Sequence, residues 1–272
     1  MIFQLYIPAL PLNQFIESFI YFKSFIPAHS IDRFLPDGNV NVVIDLTDYP
    51  KFIYDNETLK EIQACRNVWF SGIRNKYITI PSGRDSEMFI INFHKGKAYP
   101  FVQMPLHELT DSVVDGDLVL TNEIMNMREM ILSLPTISQK FIYAEQHLLK
   151  QFGRKLELNP FIDFAVNKIL QSPHQITIKR LSDKVGFSQK HFIQMFKENV
   201  GLTPKAFLKI LRFQKAIQEI ETCKKINWSG IAYETGYYDQ AHFINDFKNF
   251  SGFTPQQYLL VKNDQLNYVP IG

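Results

Sequence analysis

The side chains best suited to gripping a partner lie on one face of a repeated stretch. His191 to Pro204 reads H-F-I-Q-M-F-K-E-N-V-G-L-T-P, and His242 to Pro255 reads H-F-I-N-D-F-K-N-F-S-G-F-T-P. Eight of the fourteen positions are identical, and an internal repeat means that one structural unit is used twice. In the first copy Phe192, Phe196 and Val200 fall together at helical spacing, while Gln189, Lys190, Ile193, Gln194 and Lys197 occupy the other side. A glutamine or asparagine amide can bond adenine through N6 and N7, and an isoleucine can pack on a thymine methyl. Lysines such as Lys197 and Lys248 suit phosphate contacts, or else lie along the surface on packed stems. A solvated helix face would explain glutamine and lysine equally well. It explains less well an isoleucine at the same place in both copies, Ile193 and Ile244, unless each meets a neighbouring helix.

Other chemistry is sparse. His29, His94, His107, His147 and His174 form no i, i+4 pair and have no nearby cysteine, so neither a metal nor a cofactor is expected. Cys65 and Cys223 show no metal-like spacing and read as buried, inert thiols. There is no nucleophile elbow, P-loop or dinucleotide fingerprint. Asp37, Asp45 and Asp48 read as turn and edge groups. Arg33, Arg74 and His94 abut predicted strands; surface positions are the simpler reading, and a place beside a pocket is the alternative. No apolar run is long enough to cross a membrane, and Met1-Ile2-Phe3-Gln4 does not open a signal peptide. A cytoplasmic protein with no membrane partner is therefore expected.

The elements that must position the repeated face can be read around it. Thr177 is a plausible N-cap for a short helix over Ile178 to Val185, Gly186 supplies a tight turn, and Ser188 caps the next helix. Thr203-Pro204 opens a third helix over Lys205 to Thr222. Asn227, Gly236, Asp239 and Thr254-Pro255 repeat the pattern, with one extra residue in the second turn. Two short helices meeting sharply, the second with a polar outer face, form a helix-turn-helix layout. Ahead of it, from Arg33 to Phe93, the reading is β, with strands at Asn39–Leu46, Val68–Phe70, Tyr77–Ile80 and Met88–Phe93. A helix from Pro8 to Ile20 and a strand from Tyr21 to Ile26 are expected before that, and helices from Leu120 to Phe152 and after Pro160 follow it. In the last of these, Phe161, Phe164, Ala165, Ile169 and Leu170 would pack on the first helix-turn-helix. The fold class is α+β: a small N-terminal β-sandwich or barrel with flanking helices over residues 1–155, then an all-α double helix-turn-helix over 156–272. Charge divides accordingly. The net +2 splits into 13 Lys and Arg against 7 Asp and Glu from Ser172 to Lys262, 16 against 19 from Met1 to Gln171, and the single acid Asp264. A basic C-terminal unit beside an acidic N-terminal one fits nucleic-acid binding by the former.

With both frames at this spacing, Leu211-Arg212-Phe213 and Ala216 between them, and Gly252-Phe253-Thr254-Pro255-Gln256-Gln257-Tyr258 at the end, residues 160–262 resemble the AraC/XylS family of bacterial transcription regulators. The resemblance implies two helix-turn-helix units joined by a long helix and seated in adjacent major grooves of double-stranded DNA. Lys190, Ile193 and Gln194, with Gln240, Ala241, Ile244 and Asn245, match the family's base-contacting positions. Gln194 and Asn245 stand where many members carry arginine, which shifts the expected preference from guanine toward adenine. Phe34-Leu35-Pro36-Asp37-Gly38 and Phe70-Ser71-Gly72 resemble a β-rich domain that precedes such modules and is associated with effector sensing or dimerisation. The resemblance implies a small-molecule effector, a second copy of the chain and RNA polymerase as further partners. A non-enzymatic regulator is the first reading. A DNA-targeted enzyme or repair regulator, with chemistry in the N-terminal domain, is the alternative, and Cys65 is its only candidate nucleophile.

Overall fold

The computed structural model describes residues 1–102, 104–153, 156–173, 176–223 and 226–271. Its strands form two antiparallel sheets that face each other. Numbered in chain order, the first sheet runs β1 (Ile2–Tyr6), β2 (Ile16–Lys23), β9 (Glu87–Phe93), β4 (Asn41–Asp45), β7 (Val68–Ser71), β10 (Val113–Asp115). The second runs β11 (Tyr268–Ile271), β3 (Ile31–Phe34), β8 (Ile78–Pro81), β5 (Lys51–Tyr54), β6 (Glu61–Cys65).

The central strands of the first sheet are covered on both faces. On one, Phe19, Val42, Phe70, Phe89 and Ile91 join Ile124, Met127 and Ile131 of α2 (Glu123–Ser133) and Phe141, Ala144 and Leu148 of α3 (Ile137–Phe152). On the other, Val43, Trp69 and Met88 meet Ile53, Cys65 and Ile78 of the second sheet. Burial on both sides removes the selection for polar residues at alternate positions, so the stretch around β4 alternates only in part.

The four strands predicted between Arg33 and Phe93 are present, as β4, β7, β8 and β9, while the strand predicted at Tyr21–Ile26 lies earlier, as β2 over Ile16–Lys23. The predicted Pro8–Ile20 helix is a correction: only a single 3-10 turn forms at Leu12–Gln14, and β2 already begins at Ile16. Leu12, Phe15, Ile16 and Phe19 are all buried, which imitates helical spacing across a turn and a strand. In α4 (Pro160–Gln171) the buried side is Ile162, Ala165, Val166 and Ile169, while Phe161, Phe164 and Leu170 are exposed. The helix does pack against the first helix-turn-helix, and the Phe161 ring meets Phe187 edge-on at 5.0 Å. Of the boundary read at residues 153–155, residues 154 and 155 lie outside the described residues, as does His174.

The helical half comprises α5 (Ile178–Val185), α6 (Gln189–Val200), α7 (Pro204–Thr222), α8 (Trp228–Glu234), α9 (Gln240–Ser251) and α10 (Pro255–Val261). After α10 the chain returns to the sheets as β11, an element the helical reading does not contain. The buried apolar residues of the two halves form one contiguous cluster from Leu12 to Val269.

Candidate DNA interface and barrel cavity

Each helix-turn-helix is locked by short polar residues at its corners. Thr177, Ser188 and Thr203 accept N-cap bonds from Arg180, His191 and Ala206. Asn227, Asp239 and Thr254 accept the equivalent bonds from Gly230, His242 and Gln257. Such caps satisfy amides that the helix itself leaves open. Gly186 lies in the left-handed region at φ 78, where a side chain would strain the turn. Phe192, Phe196, Phe243 and Phe247 are fully buried core residues. Tyr237 packs on Phe243 at 5.4 Å in the place that Phe187 takes in the first copy, and the extra turn residue, Tyr238, stands 95% exposed just before α9. Tyr238 was not among the sequence candidates, although the one-residue insertion marks it.

The two helices that carry the repeated polar face, α6 and α9, differ in setting. On α9, Gln240, Ala241, Asn245 and Lys248 are exposed. On α6, Lys190 and Gln194 are exposed but Lys197 is half-buried. The α6 helix packs against the 3-10 turn Leu106–Leu109 of the β-rich half, and Thr110 donates its hydroxyl to the Gly201 carbonyl. The Gln194 amide donates to Glu198 at 2.8 Å, and Ser229 donates to Gln240 at 2.9 Å. Ile193 and Ile244 are both half-buried, and Ile244 leans on the core. Asp246, buried on α9, accepts from Lys209 of α7 at 3.0 Å and faces His242 at 3.4 Å, which ties α9 to α7. At 1.5 Å per residue, the 19-residue α7 spans about 28 Å.

Between the sheets lies a cavity of about 620 Å³. Ile20, Phe22, Trp69, Met88 and Ile90 line it from one sheet, and Phe34, Ile53, Ile78 and Ile80 from the other. Its polar groups are few. The Asn41 amide oxygen and the Lys51 ammonium are buried without a hydrogen-bond partner. Lys51 Nζ lies 3.7 Å from the Tyr49 ring centroid and 3.9 Å from Asp45. Burial holds its pKa below the ordinary lysine value, against the opposing pull of Asp45.

Several sequence readings change at this point. Arg33, Arg74 and His94 do not line the cavity. Arg33 sits over the Tyr77 and Phe253 rings, at 4.5 and 4.6 Å, where the two halves meet. Arg74 is buried rather than on the surface and donates to the carbonyls of Asp111 and Ser112 at 3.3 and 3.5 Å; burial brings its pKa down to about 10. His94 contacts the Asn13 carbonyl at 3.1 Å. Asp45 is fully buried and accepts from Thr47. Cys223 is exposed, unlike the expected buried thiol, because it caps the end of α7. Cys65 is buried, and that burial pushes its thiol up to about 11. Among the described residues, no three His, Cys, Asp or Glu side chains group as metal ligands would. Lys51 was missed because Pro50 and a lysine hid a short strand.

Comparison with known proteins matches two separate stretches of the chain. A helix-turn-helix domain model matches residues 181–260, and the model of a domain of unknown function (DUF6597) matches residues 4–115. An uncharacterized HTH-type transcriptional regulator of Haemophilus influenzae is 30% identical over 179 residues, covering 63% of this chain and 55% of that protein. One from Staphylococcus aureus is 28% identical over 163 residues, covering 55% of this chain and 22% of the relative. The chain thus spans about half, or less, of the length of these relatives. Among solved structures, ToxT from Vibrio cholerae aligns over 95% of this chain and 98% of its own, at 10% identity and a TM-score of 0.47.

Proposed function

We propose, for a chain that carries an AraC-type helix-turn-helix domain behind a β-rich domain of unknown function, that it is a sequence-specific DNA-binding transcription regulator. The observation that carries this reading is the pair of capped recognition helices, each with a polar outer face, set along one 19-residue helix. Their basic surroundings suit a phosphate backbone. Lys190, Ile193 and Gln194 would read bases in one groove, and Gln240, Ala241, Ile244 and Asn245 in the next, with Lys197 and Lys248 on phosphates. Tyr238 joins them as a contact at the start of α9, on the strength of its exposure. Gln194 must give up Glu198 to bond adenine, a small cost for an exposed hydrogen bond.

Residues 1–155 serve as the sensing part and 156–272 as the DNA-binding part, with β11 built into the sheet of the first. The cavity suits an apolar molecule bearing an acceptor or anionic group for the Lys51 ammonium and a hydrogen-bond donor for the Asn41 amide oxygen. RNA polymerase and a second copy of the chain complete the proposed partners. The exposed apolar edge strand β1, with Ile2, Phe3 and Leu5, supports the second copy. A DNA-targeted enzyme would need a reactive thiol or a metal cluster, and a buried Cys65 thiol at about 11 is poorly suited to that role.

The test is selection of bound duplexes from random DNA, followed by footprinting. The expected site is A·T-rich, with two half-sites roughly 34–36 Å apart on one face. A footprint one turn long, or the absence of any preferred sequence, would refute the reading.

A further inference from the structure

The strand that closes the cavity belongs to the tail of the DNA-binding half. β11 follows α10 directly and pairs antiparallel with β3, from Tyr268 opposite Phe34 to Ile271 opposite Ile31. Gln265, Leu266 and Tyr268 line the cavity, and the Tyr268 ring tilts onto Phe34 at 4.9 Å.

β3 carries both functions because side chains on a strand alternate between its faces. Phe34 lines the cavity. Arg33, one residue away, turns outward to the second helix-turn-helix, over Phe253 and against the chain at Gly252, whose Cβ position would lie 2.5 Å from Arg33 Nη1. The Tyr77 amide donates to the Phe250 carbonyl at the C-terminal end of α9.

A second tie runs through the joining helix. Gln214, buried in α7, donates its amide to the Pro36 carbonyl at 2.8 Å and to Asn267 Oδ1 at 2.9 Å. It thereby holds a residue two past β3's end and the residue before β11 on one side chain. The Leu35 amide donates to the Asn267 carbonyl at 2.9 Å and closes the same knot.

We propose that β11 is a coupling strand: an apolar molecule that fills the cavity fixes β11 on β3 and, through Gln214 and Arg33, changes how the double helix-turn-helix holds DNA. This rests on the reading of the cavity as an effector site. A ligand touching Tyr268 and Leu266 binds the tail-docked chain better than the tail-free one, and such a difference in affinity is what shifts an equilibrium. By linkage, DNA and ligand then alter each other's affinity by the same factor.

The experiment uses the full chain and anilinonaphthalene sulfonate, an aromatic monoanion that fluoresces in apolar surroundings. Binding inside the cavity is established by its loss in Met88→Trp, which fills the space between the sheets. With the probe bound, amide exchange should slow across residues 31–34 and 266–271, and affinity for the selected duplex should change by about fivefold or more. Tyr268→Ala should weaken the probe by about tenfold, the loss expected when an aromatic wall is removed. Gln214→Leu, close in volume, should still bind the probe but show a smaller change in duplex affinity, since the Arg33 tie remains. Tail exchange or duplex affinity that is unchanged with the probe bound, or a duplex response as large in Gln214→Leu as in the wild type, overturns the coupling and leaves the cavity reading standing. Absence of cavity binding removes that reading, and the coupling with it.

Discussion

Replacing Gly201 with alanine tests the seating of α6 on the β-rich half. Gly186 and Gly201 both lie in the left-handed region, at φ 78 and φ 97. A Cβ on Gly186 would meet nothing within 4 Å, so Gly186→Ala carries backbone strain alone, about 1–2 kcal/mol. A Cβ on Gly201 would lie 2.5 Å from Ile73 Cγ2 and 3.4 Å from the Leu106 carbonyl oxygen. Ile73 is buried and cannot move aside freely. Overpacking of this kind adds about 1–3 kcal/mol, so Gly201→Ala should cost about 2–5 kcal/mol in all. The assay is urea unfolding of both variants and of Ile73→Ala, alone and combined with Gly201→Ala. Removing the Ile73 side chain opens the space that the new methyl needs. The double variant should therefore be less destabilised than the sum of the singles, by about 1–2 kcal/mol. If the two glycine variants cost the same and the cycle shows no coupling, α6 does not rest on Ile73 in solution.

Gln194→Ala should cost about 1–3 kcal/mol on the preferred site and relax selection at one base pair, while Gln194→Arg should move that position toward guanine. Coincident selection profiles for wild type and both variants would assign Gln194 to a solvated face. Lys248→Ala should weaken matched and random duplexes alike and flatten the salt slope by about 0.9. Lys197→Ala should have the smaller effect, since Lys197 is half-buried; a loss confined to the matched duplex would show that these lysines read bases. Lys51 has a lowered pKa in the fold, so just below its ordinary 10.5 the unfolded chain binds more protons than the folded one. The stability of the wild type relative to Lys51→Met should therefore rise with pH across that window and level off above it. Urea melts of both proteins at stepped alkaline pH check this, and a difference independent of pH would refute it.

The helical half was legible because its signals are local. N-caps at Thr177, Ser188, Thr203, Asn227, Asp239 and Thr254, proline at the first helical position, and left-handed glycines each act within a few residues. The doubling of the pattern makes coincidence implausible. The β-rich half was legible only where strands are rich in branched and aromatic residues, as in β4 and β9. Strands β1, β5, β6 and β11 are edges or short pieces whose residues face water, the cavity or the other half, so no single period marks them. Lys51 escaped notice for the same reason: its role depends on which strand lies across from it. Arg33, Arg74 and Gln214 act across distances in sequence that no pattern of spacing records.

The same long-range contacts give a role to the two short motifs of the β-rich half. Phe34-Leu35-Pro36-Asp37-Gly38 ends β3 at the joining helix: Pro36 accepts from Gln214, and a Cβ at Gly38 would sit 3.6 Å from Phe207 and 3.7 Å from Ile210. Phe70-Ser71-Gly72 ends β7 where a Cβ at Gly72 would lie 1.9 Å from the Leu109 carbonyl oxygen, so only glycine lets the turn that carries α6 come so near. One motif thus meets the helix between the two helix-turn-helix units, and the other supports the turn under the first. Both stand at the ends of strands whose inner faces line the cavity, through Phe34 and through Trp69 and Ser71. Each motif therefore joins a strand that touches the cavity directly to the helix-turn-helix half, the first at α7 and the second at the turn beneath α6.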